Sequence, residues 1–338
     1  MAGRRAGHLS QQAPKGGKHM PAKPFVVALE EHFQAPELAD RYGPLDANAA
    51  AHVRERLESL GELRLKEMDA AGVDFQVISH SAPSVQKMDA ESAIRLARVA
   101  NDRLHAAVVA HPDRFAGFAV IPTPDPKAAA DELERAVTQL GFKGAMIHGL
   151  TNGRFHDEPD FWPIYERAQA LDVPIYFHPA VPSQAVIDAY YKEYVAKYPI
   201  ILRAAWGFTV ETATQGLRLV LSGVFDKYPG LKVIFGHLGE GLPFLQWRIN
   251  MTMERDNKGG RGFRDVFSKH FYVTTSGFWS DPALLLCVQE LGVDHIMFSV
   301  DWPFAPNQPA TEWLHKIPLS AADKAKIASG NAKRLLKL

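Results

Sequence analysis

From residue 25 to the C-terminus, short runs of β-branched and aromatic residues alternate with longer amphipathic stretches. Eight of the short runs read as strands: 25–33, 73–80, 115–122, 142–149, 173–180, 232–239, 271–278 and 295–303. Most are almost continuously apolar, as parallel strands covered on both faces must be. Between them, 90–110, 128–140 and 209–221 repeat apolar residues at steps of three and four, the spacing of a helix with one buried face. Loops such as "AAGVDF", "AHPDRF" and "DKYPGLK" carry the Gly, Asp and Pro that end a helix before the next strand. Eight strand–helix units predict an α/β fold, a closed (β/α)₈ TIM barrel. An open doubly wound sheet fits less well, because no Gly-rich phosphate fingerprint follows any strand.

Two stretches exceed a minimal barrel and read as insertions over its C-terminal face. Residues 34–61 predict a loop plus a helix over the mouth. Residues 181–208 contain the Tyr-rich "AYYKEYVAKYP", which reads as a helix packed on the barrel or a subunit contact, or else as a substrate lid. Residues 1–23 are polar and Gly/Lys/Arg/Gln-rich and lack the apolar core of a secretory signal, so they read as a disordered leader or tag with Met20 a plausible start. Residues 24–338 are then one barrel domain.

Composition narrows the class further. The chain has 338 residues, with 38 Lys+Arg balancing 38 Asp+Glu, so its charge offers no basis for a nucleic-acid or membrane partner. Cys287 is the single cysteine, which excludes an intrachain disulfide and favours the cytoplasm. No apolar run approaches the roughly 20 residues needed to span a bilayer.

The chemistry lies in the polar residues that end the apolar strands, because barrel active sites form at the C-terminal strand ends. Those ends carry Glu30 and His32, then His80, His148, His178, His237 and Asp301. Burying so many titratable groups is costly unless they are paired or ligated. Glu30 and His32 are two apart on one strand and share a face, whereas Glu31 points to the other side. By itself that pair could be a hydrogen-bonded acid and histidine. His178 precedes Pro179, which suits a rigid ligand. Asp301, in "FSVDWPF", could instead cap the next helix, although Trp302 and Pro303 make capping awkward. His237 lies in "VIFGHLGEGLP", where Gly236 and Gly239 allow close backbone approach; it could also be a buried histidine bonded to a carbonyl. One Glu, two His and one Asp together make an N,O site suited to Zn²⁺ or Mn²⁺.

The segments "ALEEHF", "FHP", "ETATQGLRLVLSGVFDKYPGLKVIFGHLGEGLPFLQWRI", "VTTSGF", "FSVDWPF" and "NAKRLLKL" resemble the amidohydrolase superfamily. The resemblance covers residues 26–338 and points to the branch containing aminocarboxymuconate-semialdehyde decarboxylase. Within that branch the chain most resembles the non-oxidative hydroxybenzoate decarboxylases, such as the γ-resorcylate (2,6-dihydroxybenzoate) decarboxylases. The resemblance implies metal ligands at Glu30, His32, His178 and Asp301, and a catalytic His237 with Glu240 as its hydrogen-bond partner. It implies Asp301 as proton donor and Arg248 as a substrate contact, with His148 and His80 as further candidates for the substrate pocket. His148-Gly149 departs from the Asn-Gly pair of the resorcylate enzymes.

The implied activity is carbon–carbon lyase chemistry on a small aromatic carboxylate. It would use one divalent ion, Zn²⁺ or alternatively Mn²⁺, with no organic cofactor, in a homodimer or homotetramer. Metal-dependent hydrolysis of an amide, lactone or ester, or hydration of an unsaturated acid, is the alternative, since the same ligands could activate water.

Overall fold

The computed structural model describes residues 24–43, 46, 50–255 and 262–338, so the leader or tag expected over 1–23 lies outside the described residues. Each predicted strand run contains a strand. They are β1 (Val27–Phe33), β2 (Phe75–His80), β3 (Phe115–Gly117), β4 (Ala119–Val120), β5 (Ala145–His148), β6 (Ile175–His178), β7 (Val233–Phe235), β8 (Phe271–Thr274) and β9 (Ile296–Met297). All pairings are parallel, in two arcs: β1-β2-β3, and β4 through β9 in order.

The run 115–122 forms two strands because it serves both arcs. Phe118 donates its N–H to Ile78 O of β2, and Ala119 donates to Gly144 O just before β5. At the other junction His32 N–H donates to Trp302 O at 2.7 Å, which brings β1 alongside the chain leaving β9.

Side-chain alternation divides the core into two layers. Val27, Leu29, Val77, Phe118, Met146, Tyr176, Ile234 and Met297 fill the barrel interior, which Leu335 and Leu336 of the last helix also line. A larger cluster, including Val26, Ala28, Ile78, Leu96, Leu133 and Phe235, lies between the strands and the surrounding helices. Helices Ala90–Ala110, Pro126–Thr138 and Gly207–Leu221 form where the apolar spacing predicts them. Asp89 and Asp125 cap the first two by accepting the N–H of Ser92 and Ala128.

β1 contains an irregularity that sets up the site. Its register with β2 slips by one residue between Ala28 and Glu31, as at a β-bulge. Val27 and Leu29 face the barrel interior, and beyond the slip Glu30 and His32 take over that face. Glu31 is turned outward between sheet and helices.

The helix Ala51–Glu58 lies within the first insertion, 34–61, where a helix is expected. In 181–208 the chain breaks into short helical turns rather than one helix. Tyr191 is buried there with Val181, Ile187 and Leu202, while Tyr190, Tyr194 and Tyr198 are exposed. Among the described residues, no helix is long and apolar enough to cross a membrane.

Candidate metal centre

Glu30 and His32 from β1, His178 from β6 and Asp301 beyond β9 each offer one ligand atom, and the four atoms lie within 4.8 Å of one another. His32 Nε2 is 3.3 Å from Asp301 Oδ1, and His178 Nε2 is 3.2 Å from Glu30 Oε1. Glu30 Oε1, His32 Nε2 and Asp301 Oδ1 are buried without hydrogen-bond partners. Each such orphan costs roughly 1–3 kcal/mol. Three of them converging on one point, all donors of electron pairs, fit a divalent cation bound by carboxylate and imidazole.

The opposite side of each ligand is anchored. Glu30 Oε2 accepts hydrogen bonds from the hydroxyls of Tyr176, Ser276 and Thr274. His178 Nδ1 lies 2.7 Å from Pro179 O, so it donates there and leaves Nε2 for the centre. His32 Nδ1 lies 3.2 Å from Ser79 Oγ. Asp301 does not cap the next helix, whose N-cap position is Pro306.

Electrostatics keep this site ready for a cation. Burial pushes the Glu30 carboxyl up, but His237, His178 and His32 together draw it well below the usual carboxylate range. Asp301 is likewise pushed up by burial and drawn below its ordinary value by the neighbouring His237 and His32 rings. Burial lowers His32, which favours the neutral imidazole that ligation requires.

His237 lies beside this cluster, with Nε2 3.6 Å from Glu30 Oε1 and 4.0 Å from Asp301 Oδ2. Its Nδ1 is 2.8 Å from Glu240 Oε1, and Thr209 donates to the second Glu240 oxygen. Burial opposes the charged ring, yet Glu240 and Glu30 raise it well above an ordinary histidine. The loop brings acid and imidazole together by coiling tightly, with positive φ at His237, Leu238, Gly239, Glu240 and Gly241. The carboxylate partner replaces the carbonyl considered from the sequence.

The remaining expected site residues occupy other surroundings. His148 is buried, its Nδ1 3.1 Å from His178 Nδ1, and burial drives its basicity well below that of an ordinary histidine. His80 has both ring nitrogens engaged by main chain. Nδ1 faces Ser81 O at 2.9 Å, and Nε2 accepts the Ala35 N–H at 3.0 Å. Arg248 is exposed on the helix Leu242–Glu254 and makes no ion pair with the cluster.

Sequence reasoning missed Tyr176, Thr274 and Ser276. Tyr176 is two residues before His178 on β6, and Thr274 is two before Ser276 at the end of β8. That spacing marks a shared inward face and could have found them.

Gly236 closes the floor of the site. A Cβ there would lie 2.5 Å from Glu30 Oε2 and 3.1 Å from Oε1. The Gly236→Ala protein is expected to fold while binding Mn²⁺ about 10–100-fold more weakly, because the Glu30 carboxylate must leave its anchored position. Equilibrium dialysis against Mn²⁺ checks this, and native affinity would show that Glu30 can shift freely.

The amidohydrolase family model matches residues 32–338. A γ-resorcylate decarboxylase from Polaromonas sp. is 41% identical over 325 residues, covering 92% of this chain and 98% of that protein. A 2,6-dihydroxybenzoate decarboxylase solved with 2,6-dihydroxybenzoate superposes with a TM-score of 0.85 at 37% identity, covering 94% of this chain and 100% of that one. A dihydroxybenzoic acid decarboxylase from Polaromonas sp., solved with manganese and the inhibitor 2-nitroresorcinol, also gives 0.85, at 39% identity over 94% of this chain and 98% of that one.

Proposed function

The chain belongs to the amidohydrolase family, and from that premise we propose that it is a metal-dependent, non-oxidative decarboxylase of dihydroxybenzoate-type aromatic acids. The observation that carries this reading is the set of three buried, partnerless ligand atoms converging from Glu30, His32 and Asp301. Similarity to the dihydroxybenzoate decarboxylases over nearly their whole length supports the substrate class. The site takes a divalent ion. We propose Mn²⁺ over Zn²⁺, which these ligands would also accept, because the Polaromonas relative holds manganese.

Glu30, His32, His178 and Asp301 would hold a divalent ion, which would supply positive charge to offset that of an anionic aromatic carboxylate. Asp301 delivers the proton. It adds to the ring carbon bearing the carboxylate, the bond from that carbon to the carboxylate then breaks, and its electron pair restores the aromatic ring as CO₂ leaves. In the ligand-free site Asp301 is held ionised, so its proton must come from elsewhere. His237 is the nearby source, protonated under the influence of Glu240 and Glu30. An arriving anionic substrate adds negative charge beside Asp301 and raises its affinity for that proton.

We assign His148 to the pocket wall, orienting His178, and His80 to holding the loop at Ala35. Arg248 is kept as a substrate contact only for an assembled form, because in its own chain it is exposed and unpaired with the cluster. A homodimer or homotetramer through the 181–208 insertion is supported by exposed Tyr190, Tyr194, Tyr198 and Trp206. The single, buried Cys287 supports a cytoplasmic location.

CO₂ release by Mn²⁺-loaded protein across mono- and dihydroxybenzoates tests the function. Release should require an ortho hydroxyl and be strongest with 2,6-dihydroxybenzoate. No release from any member, with metal bound, would move the assignment to hydrolysis or hydration of another acid.

A further inference from the structure

β1 and β9 stand at opposite ends of the strand order and share no ladder among the described residues. Glu31 bridges this seam. The residue is fully buried, and its Oε1 accepts the Val300 N–H at 2.9 Å and the Ser299 hydroxyl at 3.2 Å. Its Oε2 accepts the Trp302 N–H at 3.2 Å. Those two peptide groups flank Asp301. One carboxylate therefore grips the chain on both sides of the proposed proton donor.

Asp301 needs that grip. Its φ of 75° lies in the left-handed region, which a residue with a Cβ rarely adopts unless its surroundings hold it. The buried Arg64 supports Glu31 from behind. Arg64 donates to Gln76 Oε1 at 3.1 Å and to the His32 carbonyl at 2.5 Å, and its guanidinium lies 4.1 Å from the Trp302 ring centroid. Its charge offsets only in part the burial that pushes the Glu31 carboxyl up to about 7, and Gln76, which accepts from Arg64, lies 3.5 Å from Glu31 Oε2.

We propose that Glu31 is the positioning residue for Asp301, setting the direction of the Asp301 carboxyl by capturing the peptide N–H groups on either side of it. The role rests on the reading of Asp301 as proton donor. It is distinct from metal binding, because the Glu31 side chain points away from the cluster. A purely structural seam would lower thermal stability without separating kcat from KM.

The test compares native enzyme with Glu31→Gln and Glu31→Asp. The amide puts an NH₂ group against one of the two peptide N–H groups, and the shorter acid withdraws from both. Each variant should lose about 30-fold in kcat with KM within about threefold, and saturating Mn²⁺ should not restore the rate. The Mn²⁺ dissociation constant, read from the electron paramagnetic resonance of free ion, should rise about tenfold as Asp301 turns. Rescue by Glu31→Asp would reduce the role to charge balance and overturn the proposal. So would a kcat within about threefold of native for Glu31→Gln at saturating Mn²⁺.

Should neither variant fold, amide exchange in the native holoenzyme decides. Val300 and Trp302 must fall in the slowest class, and fast exchange at both would refute the grip. If native enzyme releases no CO₂, the decarboxylase reading fails, whereas metal affinity and amide exchange still report on Glu31.

Discussion

Asp301→Asn should lower the turnover of the Mn²⁺-loaded enzyme by about 10³-fold while leaving the metal bound, the range expected when a general acid is removed. Asn keeps an oxygen where Asp301 Oδ1 faces His32, so the site retains Glu30, His32, His178 and a weaker fourth donor. It loses the group that carries a proton to the ring carbon. His237 cannot take over unaided: the Glu240 carboxylate holds it through Nδ1, and its Nε2 already lies beside Glu30 and Asp301. Metal content per protomer and single-turnover CO₂ release separate the two effects. A variant with full metal and a rate within about tenfold of native would transfer the proton-donor role to another residue.

Removing the metal should abolish activity as completely and also destabilise the fold. The chelated enzyme is expected to keep less than about 1% of its CO₂ release and to regain it on addition of Mn²⁺, because the substrate carboxylate then meets Glu30 and Asp301 with no cation between them. Ligand that binds only the folded chain stabilises it by about 2.7 kcal/mol at one hundred times its dissociation constant, so chelation should lower the melting temperature measurably. Buried, partnerless Glu30 Oε1, His32 Nε2 and Asp301 Oδ1 are the source of that difference. If chelated and Mn²⁺-loaded protein melted alike and turned over alike, the cluster would be a hydrogen-bonded core and no metal centre.

Much of this site is legible along the chain. Glu30 and His32 are paired by the two-residue period of a strand, and His178 and Asp301 end apolar runs where barrels place their chemistry. The same period, applied without the bulge, says nothing of how β1 changes its inward face between Leu29 and Glu30. It also makes Glu31 look like a bystander, when its carboxylate joins β1 to the chain around Asp301. Nor does it give the partners of His80 at the end of β2, whose ring nitrogens meet the main chain of Ala35 and Ser81.

Local sequence determined the strand and helix order, the parallel barrel and the titratable residues at its strand ends, while the choice of metal ligands among them came from the family resemblance. Those features depend on hydrophobic period, strand ends and turn chemistry within a few residues of one another. Only the tertiary structure decided which ligand atoms keep a free electron pair, which partner holds each back side, and which carboxylate meets the peptides on either side of Asp301. Tyr176 meets Glu30 across 146 residues and Trp302 meets Glu31 across 271. Hydrogen-bond partners so far apart in the chain are selected by how the barrel closes, and a buried polar atom is satisfied or orphaned by that closure alone.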